Sequence, residues 1–169
     1  MVPSSVAAET ATLHMICGKI AAGKSTLARR LADAPAIILI GEDVWLSTLY
    51  PDEQRTVAEY ARNSRRLRAV MGGHIEALLR AGLSVVLDFP ANTVANRQWM
   101  RGIFEKAGAA HRLHFIDLPD AVCKARLRQR NVAGTHQFTV TDAEFDEITG
   151  YLMPPSADEG FETTIYRDA

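Results

Sequence analysis

Cysteine is scarce: Cys17 and Cys123 are the only two in 169 residues, stand far apart and form no CxxC pair. A disulfide scaffold is thereby excluded, and both read as small apolar residues of a reducing compartment. Long apolar runs are missing too. The longest, Ala36 to Ile40, has the length of a buried strand, whereas a membrane span needs about 18 residues. Charge of one sign is also lacking: 19 Lys+Arg stand against 20 Asp+Glu, a formal net charge of −1. No global field gathers nucleic acid or anionic lipid, and any anion site must be local. Residues 1–12 carry no Lys or Arg and no apolar stretch of a secretory leader follows, so the expected location is the cytoplasm. What remains is an ordinary globular share of 47% hydrophobic and 23% charged residues. A chain this long buries roughly 70% of its unfolded surface without a staple, and residues 1–169 are expected to form one domain.

The periodicity alternates between two kinds. Leu13 to Cys17 is a short apolar run stopped by Gly18, followed by an Ala/Leu/Arg helix from Lys24 to Ala32. Ala36 to Ile40 and Ser84 to Leu87 are continuous apolar runs, which predicts strands buried on both faces, as in a parallel sheet. Between them Glu53 to Ala81 has helical spacing, with Gly72-Gly73 expected to break it in two. Asn92 is placed to cap a helix to about Lys106, with Gly108 after its end. Arg112 to Leu118 is a fourth strand, Pro119 opens the helix Asp120 to Arg130, and Thr141 with Glu144 has capping-box spacing ahead of a helix to about Tyr151. Thr163 to Tyr166 completes the set as an edge strand. Such alternation predicts a doubly wound α/β sheet with ligands at the carboxyl ends of its strands.

Gly18-Lys19-Ile20-Ala21-Ala22-Gly23-Lys24-Ser25 satisfies G-x-x-x-x-G-K-[ST] in full, after a strand and before a helix. By composition alone the pattern arises in well under about 1% of chains this long, so a nucleotide phosphate site is the expectation. Two glycines let successive N–H groups surround phosphate at the positive end of the helix. Lys24 would reach the β- and γ-phosphates, the Ser25 hydroxyl would hold Mg²⁺, and Thr26 follows on the same turn. Asp88, ending Ser84 to Leu87, is the matching Walker-B type acid for Mg²⁺. The nucleotide is expected to be ATP.

Asp43 follows the second strand, where a carboxylate can accept the proton of an attacking hydroxyl; the bland alternative is that Glu42 or Asp43 caps a turn containing Trp45. Trp45 itself is expected in the core slightly more than in an acceptor pocket. Arg126 and Arg130, one helical turn apart, lead into the polar loop Asn131 to Val140. They could fold over ATP as part of a lid at about 131–141, or only answer the helix dipole, with Arg128 pointing away. Arg97 and Arg101 are weaker candidates for phosphate. Arg55, Arg62, Arg65, Arg66 and Arg68 read as a solvated helix face. Met15, Met71, Met100 and Met153 are expected in the core, and His74, His111, His114 and His136 show no metal spacing.

The loop Gly18 to Ser25, Glu42-Asp43-x-Trp45, Val85 to Asp88, Arg97, Arg126-x-x-x-Arg130-Asn131 and the tail Pro154 to Glu159 together resemble the small P-loop kinases of the zeta-toxin and chloramphenicol-phosphotransferase group. The resemblance implies a three-layer α/β/α P-loop NTPase fold with a five-stranded parallel sheet in the order 2-3-1-4-5. It implies transfer from ATP with Mg²⁺ to a hydroxyl, with Asp43 as the catalytic acid, Lys24 and Ser25 as the Walker residues, Arg126 stacking on adenine, Arg130 at the γ-phosphate and the tail near Pro155 closing on adenine. The chain is shorter than typical zeta toxins and carries no acceptor signature of either group. A small-molecule hydroxyl acceptor is the leading expectation, with no membrane and no long nucleic acid as partner; the rivals are a nucleotide-sugar or polynucleotide kinase and a nucleotide-dependent switch that binds a partner protein.

Overall fold

The computed structural model describes residues 10–53, 56–134 and 139–167. Residues 1–9, Arg55 of the basic face, and 135–138 of the expected lid, with His136, lie outside the described residues. The chain runs β1 (Thr12–Gly18), α1 (Lys24–Ala32), β2 (Ile37–Gly41), α2 (Glu42–Leu49), α3 (Val57–Arg80), β3 (Ser84–Pro90), α4 (Val94–Ala107), β4 (Ala110–Ile116), α5 (Asp120–Ala133), α6 (Asp142–Gly150), a 3₁₀ turn at Ala157–Glu159 and β5 (Thr163–Tyr166). All strand pairs are parallel, and the order is β2-β3-β1-β4-β5.

Alternation along the strands builds the layers. Leu13, Met15 and Cys17 of β1 and Val85, Leu87 and Phe89 of β3 pack with Leu67, Met71, Ile75 and Leu79 of α3 and Met100, Ile103 and Phe104 of α4. Ile16, Val86 and Ile116 point the other way, onto Ala28 of α1, Cys123 and Leu127 of α5 and Phe145 of α6. Successive strand residues face opposite sides, so strands covered on both faces are apolar throughout. Burial pushes the Cys17 thiol up to about 11, in keeping with a packing role.

Several expectations need correction. β2 is an edge strand, and Ile38 and Leu39 are 38% and 39% exposed rather than buried on both faces. α3 runs unbroken through Gly72 and Gly73; Gly72 faces the Trp99 ring, where a β-carbon would come within 3.5 Å. Packing on the core outweighs the roughly 1 kcal/mol that each helical glycine costs. The helix starts later than expected, at a Thr56/Glu59 capping box. α4 is capped by Thr93, not Asn92. Met153 is 51% exposed, unlike the other three methionines named for the core. The Thr141/Glu144 capping box and β5 stand where the sequence put them.

A polar chain crosses β1, β4 and β5. His14 Nδ1 lies 3.1 Å from His114 Nε2, and His114 Nδ1 lies 2.8 Å from the Tyr166 hydroxyl. Burial, then the neighbouring His14, lowers His114 to about 4; burial, then Arg112, also lowers His14. His114 therefore stays neutral in the fold down to about pH 4 and His14 is biased the same way, while the unfolded chain takes up their protons near pH 6.5. Stability is therefore complete above that value and is lost as pH falls toward 4. Urea unfolding should give a free energy up to about 2 kcal/mol smaller at pH 5 than at pH 7 from His114 alone. His114→Gln should flatten that slope; an unchanged slope would refute the assignment.

Candidate active site

β1 ends at Gly18 and the chain turns back through Gly23, which caps α1 in the left-handed region at φ 102°. A β-carbon on Gly18 would sit 3.1 Å from the Ile116 carbonyl oxygen, so a side chain there would force β4 to give way, and φ 158° adds strain for any other residue. Ala21 adopts φ 59° without being a glycine, a strain of about 1–2 kcal/mol that the loop must hold. The first turn of α1 has no acidic residue and its cap no side-chain hydrogen bond. Its N–H groups and the positive end of its dipole are thus open to an anion. Lys24 Nζ lies folded over the loop, donating to the Gly18 carbonyl at 2.9 Å and the Lys19 carbonyl at 2.7 Å. Lys19 is committed elsewhere, to the Leu118 carbonyl at 2.9 Å and to Asp120 at 2.5 Å. Ile20 is half-buried, Ala22 is buried, and Ser25 and Thr26 are exposed on the first turn.

Around this loop the sheet edge brings in two carboxylates. Asp88 stands level with Gly41 in the β2–β3 ladder, at a point where the β1–β3 register shifts between Met15 and Ile16. Burial lowers the Lys24 ammonium, while Asp88 and then, after Cys17, Asp43 favour its charge. Both acids therefore act on the lysine. Glu42 and Asp43 open α2 directly after its cap residue Gly41, two acids at the positive helix end. Glu42 is fully buried and accepts from the Tyr60 hydroxyl at 2.9 Å, Ser64 at 2.5 Å and Arg68 Nε at 3.0 Å. With Glu42 pinned inward, the next residue, about 100° round the helix, emerges exposed.

The arginines divide by what holds them. Arg126 Nη1 donates to the Ala22 carbonyl at 3.4 Å, and the same atom would be 3.9 Å from a β-carbon on Gly23. It lies over the loop. Arg130 is lowered by burial and raised by Asp43, and its Nε is buried with no hydrogen-bond partner among the described residues. Arg128 turns away to Asp142. Arg97 is committed within the fold: it is fully buried, grips Glu159 with two bonds of 2.7 and 2.8 Å, and donates to the Ala91 and Met153 carbonyls. Arg101 binds Glu105 and the Glu159 carbonyl and stacks 4.3 Å from the Phe161 ring. Arg68 leaves the solvated face, bonded to Glu42 and Asn96 and lying 5.5 Å from the Trp99 ring. Arg62, Arg65 and Arg66 are exposed as expected.

Two further residues stand differently from their sequence reading. Asn92, read as a helix cap, hydrogen-bonds both polar groups of the Gly18 backbone. Trp45 is 42% exposed rather than core. With Val44, Thr48 and Leu49 it lines an apolar groove of about 290 Å³ on the helix that carries Asp43. No sequence signal separates an asparagine that caps a helix from one that reaches a neighbouring strand. A magnesium nucleotide suits this chemistry: open N–H groups at α1, an exposed serine hydroxyl beside the lysine, an acid across the strand gap and an unpartnered arginine nitrogen.

Residues 13–155 match the AAA domain family model. No curated protein matches the chain. Among solved structures, a Chloroflexus aurantiacus protein assigned as a kinase superposes with a TM-score of 0.74 at 16% identity, covering 94% of this chain and 85% of that one. A gluconokinase from Sinorhizobium meliloti gives 0.62 at 15%, covering 94% and 82%. The Mycobacterium tuberculosis APS kinase CysC, in complex with AMPPNP and APS, gives 0.52 at 23%, covering 76% and 77%. At such identities the likeness establishes a shared P-loop α/β/α fold.

If Arg97 is a buried strut, Arg97→Met should lower the unfolding free energy by about 3–5 kcal/mol, the cost of stranding a buried partner. Urea denaturation measures it, and adding Glu159→Gln should recover part of the loss. Undiminished stability with lost nucleotide binding would return Arg97 to the substrate side.

Proposed function

This chain belongs to the AAA domain family, and from that premise we propose that it is an ATP-dependent phosphotransferase acting on a hydroxyl of a small molecule. The observation that carries the reading is the convergence on one loop mouth of Lys24, flanked by the charges of Asp88 and Asp43, and of Arg130, on which Asp43 also acts. Each comes from a different element, and together they are the parts that phosphoryl transfer needs. Gly18 to Thr26 hold the phosphates, Lys24 and Arg130 balance charge on the transferring group, and Arg126 covers the nucleotide. Magnesium, held by Ser25 and Asp88, would supply charge neutralisation between the phosphates. Asp43 takes the proton of the acceptor hydroxyl as that oxygen bonds to the γ-phosphorus; the bond to the bridging oxygen breaks and ADP leaves.

The acceptor side favours a small neutral molecule. Of the basic face on α3, Arg68 is spent on Glu42 and Arg62 on Glu53, which leaves Arg65 and Arg66 exposed, and what α2 exposes beyond Asp43 is the apolar groove at Trp45. Relationship to the zeta-toxin and chloramphenicol-phosphotransferase group, a single domain over 1–169 and a lid near 131–141 belong to the same proposal, as does a cytoplasmic site of action. None of the described helices is long and apolar enough to cross a membrane.

Two variants test it, with γ-labelled ATP offered to sugars, aminoglycosides, nucleosides and RNA ends. Lys24→Ala should abolish Mg-ATP binding by calorimetry; undiminished binding would sink the nucleotide site. Asp43→Asn should lower kcat by roughly 10²- to 10⁴-fold, with ATP affinity and thermal midpoint almost unmoved. Transfer within about threefold of wild type would end the base assignment, being less than about 1 kcal/mol of transition-state stabilisation.

A further inference from the structure

Asn92 joins the end of β3 to the phosphate loop. Its Oδ1 accepts from the Gly18 N–H at 2.9 Å, and its Nδ2 donates to the Gly18 carbonyl at 3.0 Å. One side-chain amide thus closes on both polar groups of a single buried residue. The same carbonyl accepts from Lys24 Nζ at 2.9 Å, so its two lone pairs are divided between the asparagine and the lysine. The asparagine is itself held: its carbonyl accepts from the Met153 N–H at 2.8 Å, and the preceding Ala91 donates to Ile16 at 3.0 Å and accepts from the buried Arg97 at 2.8 Å. Backbone fixed on both sides cannot follow the lysine when the lysine moves.

Lys24 cannot serve a phosphate and both loop carbonyls at once. When its ammonium turns to the nucleotide, the Lys19 carbonyl keeps the Ala22 N–H at 3.3 Å. Among the described residues the Gly18 carbonyl keeps Asn92 as its remaining side-chain donor. Without that donor a buried carbonyl would be stranded, and the lysine would hold to it instead of to phosphate.

We propose that Asn92 is a positioning residue for nucleotide binding: it fixes the Gly18 peptide in the shape the phosphates require and remains as the carbonyl's partner when Lys24 departs. This rests on the reading of Gly18 to Ser25 as the nucleotide site. The consequence falls on affinity for nucleotide, because the bond to the Gly18 N–H is the same in both states while the carbonyl changes partners.

The test is calorimetric titration of Mg-AMP-PNP into the wild-type chain, Asn92→Ala and Asn92→Ser, with steady-state transfer or slow ATP hydrolysis alongside. Asn92→Ala should weaken binding about tenfold, or about 1.4 kcal/mol. Asn92→Ser, whose hydroxyl can take one of the two bonds, should fall between and provides the measurement if the alanine variant fails to fold. KM for ATP should rise with kcat held within about twofold, a split that a merely structural role would not produce. Affinity within twofold of wild type in both variants overturns the proposal and leaves the nucleotide reading standing. A loss confined to kcat or to the folded fraction, with KM unchanged, overturns it as well. A wild-type chain that binds no magnesium nucleotide removes the nucleotide reading and this proposal with it.

Discussion

Gly18 lies so close to β4 that a β-carbon there would sit 3.1 Å from the Ile116 carbonyl oxygen, tight enough that the neighbouring strand would have to give way. Because β1 is the middle strand of the sheet, that contact sets where the central strand stops and where the loop can turn across the carboxyl edge. The position of α1 follows from it, since Gly23 must bring the chain into the helix through a left-handed residue. Lys24 then opens the helix with its ammonium over the loop. A larger residue at Gly18 would push the loop off β4 and displace the lysine relative to Asp88, which is fixed independently by β3.

Much of the remaining polar chemistry is arranged to hold backbone rather than to meet a ligand. Glu42 is the clearest case: a fully buried acid with three donors from α3, it locks α2 onto α3 and thereby turns Asp43 outward. Arg97 does the same for the carboxyl-terminal segment, tying the Ala157–Glu159 turn to the residues after β3. Both are charge-assisted and enclosed. Their value lies in the single arrangement they permit, since a buried pair offsets a large desolvation cost and tolerates few alternatives.

The groups left over are the ones without such commitments. Ser25 and Thr26 are exposed, Arg130 keeps a buried nitrogen without a partner among the described residues, and α1 offers bare N–H groups. Unsatisfied buried donors are rare in native structures. Arg130 Nε is such a donor among the described residues, and it sits one turn along α5 from Arg126, whose guanidinium reaches the Ala22 carbonyl.

The sequence by itself determined the fold class, the phosphate-loop motif and the strands that carry it, because those depend on local pattern: apolar runs of strand length, a glycine spacing and a capping box. It also put Asp43 and Asp88 at strand ends, and strand ends share an edge in any parallel sheet. What only the tertiary structure decided was which polar side chains are consumed. Arg97, Arg68 and Asn92 look in sequence like Arg101, Arg66 and an ordinary helix cap; their roles depend on Glu159, Glu42 and Gly18, residues many positions distant. Gly72-Gly73 failed as a break for the same reason: intrinsic propensity is worth about 1 kcal/mol per residue, and the packing of α3 along its length on the core is worth more. Local preference fixes elements, whereas the partner of a buried charge is set by how those elements meet.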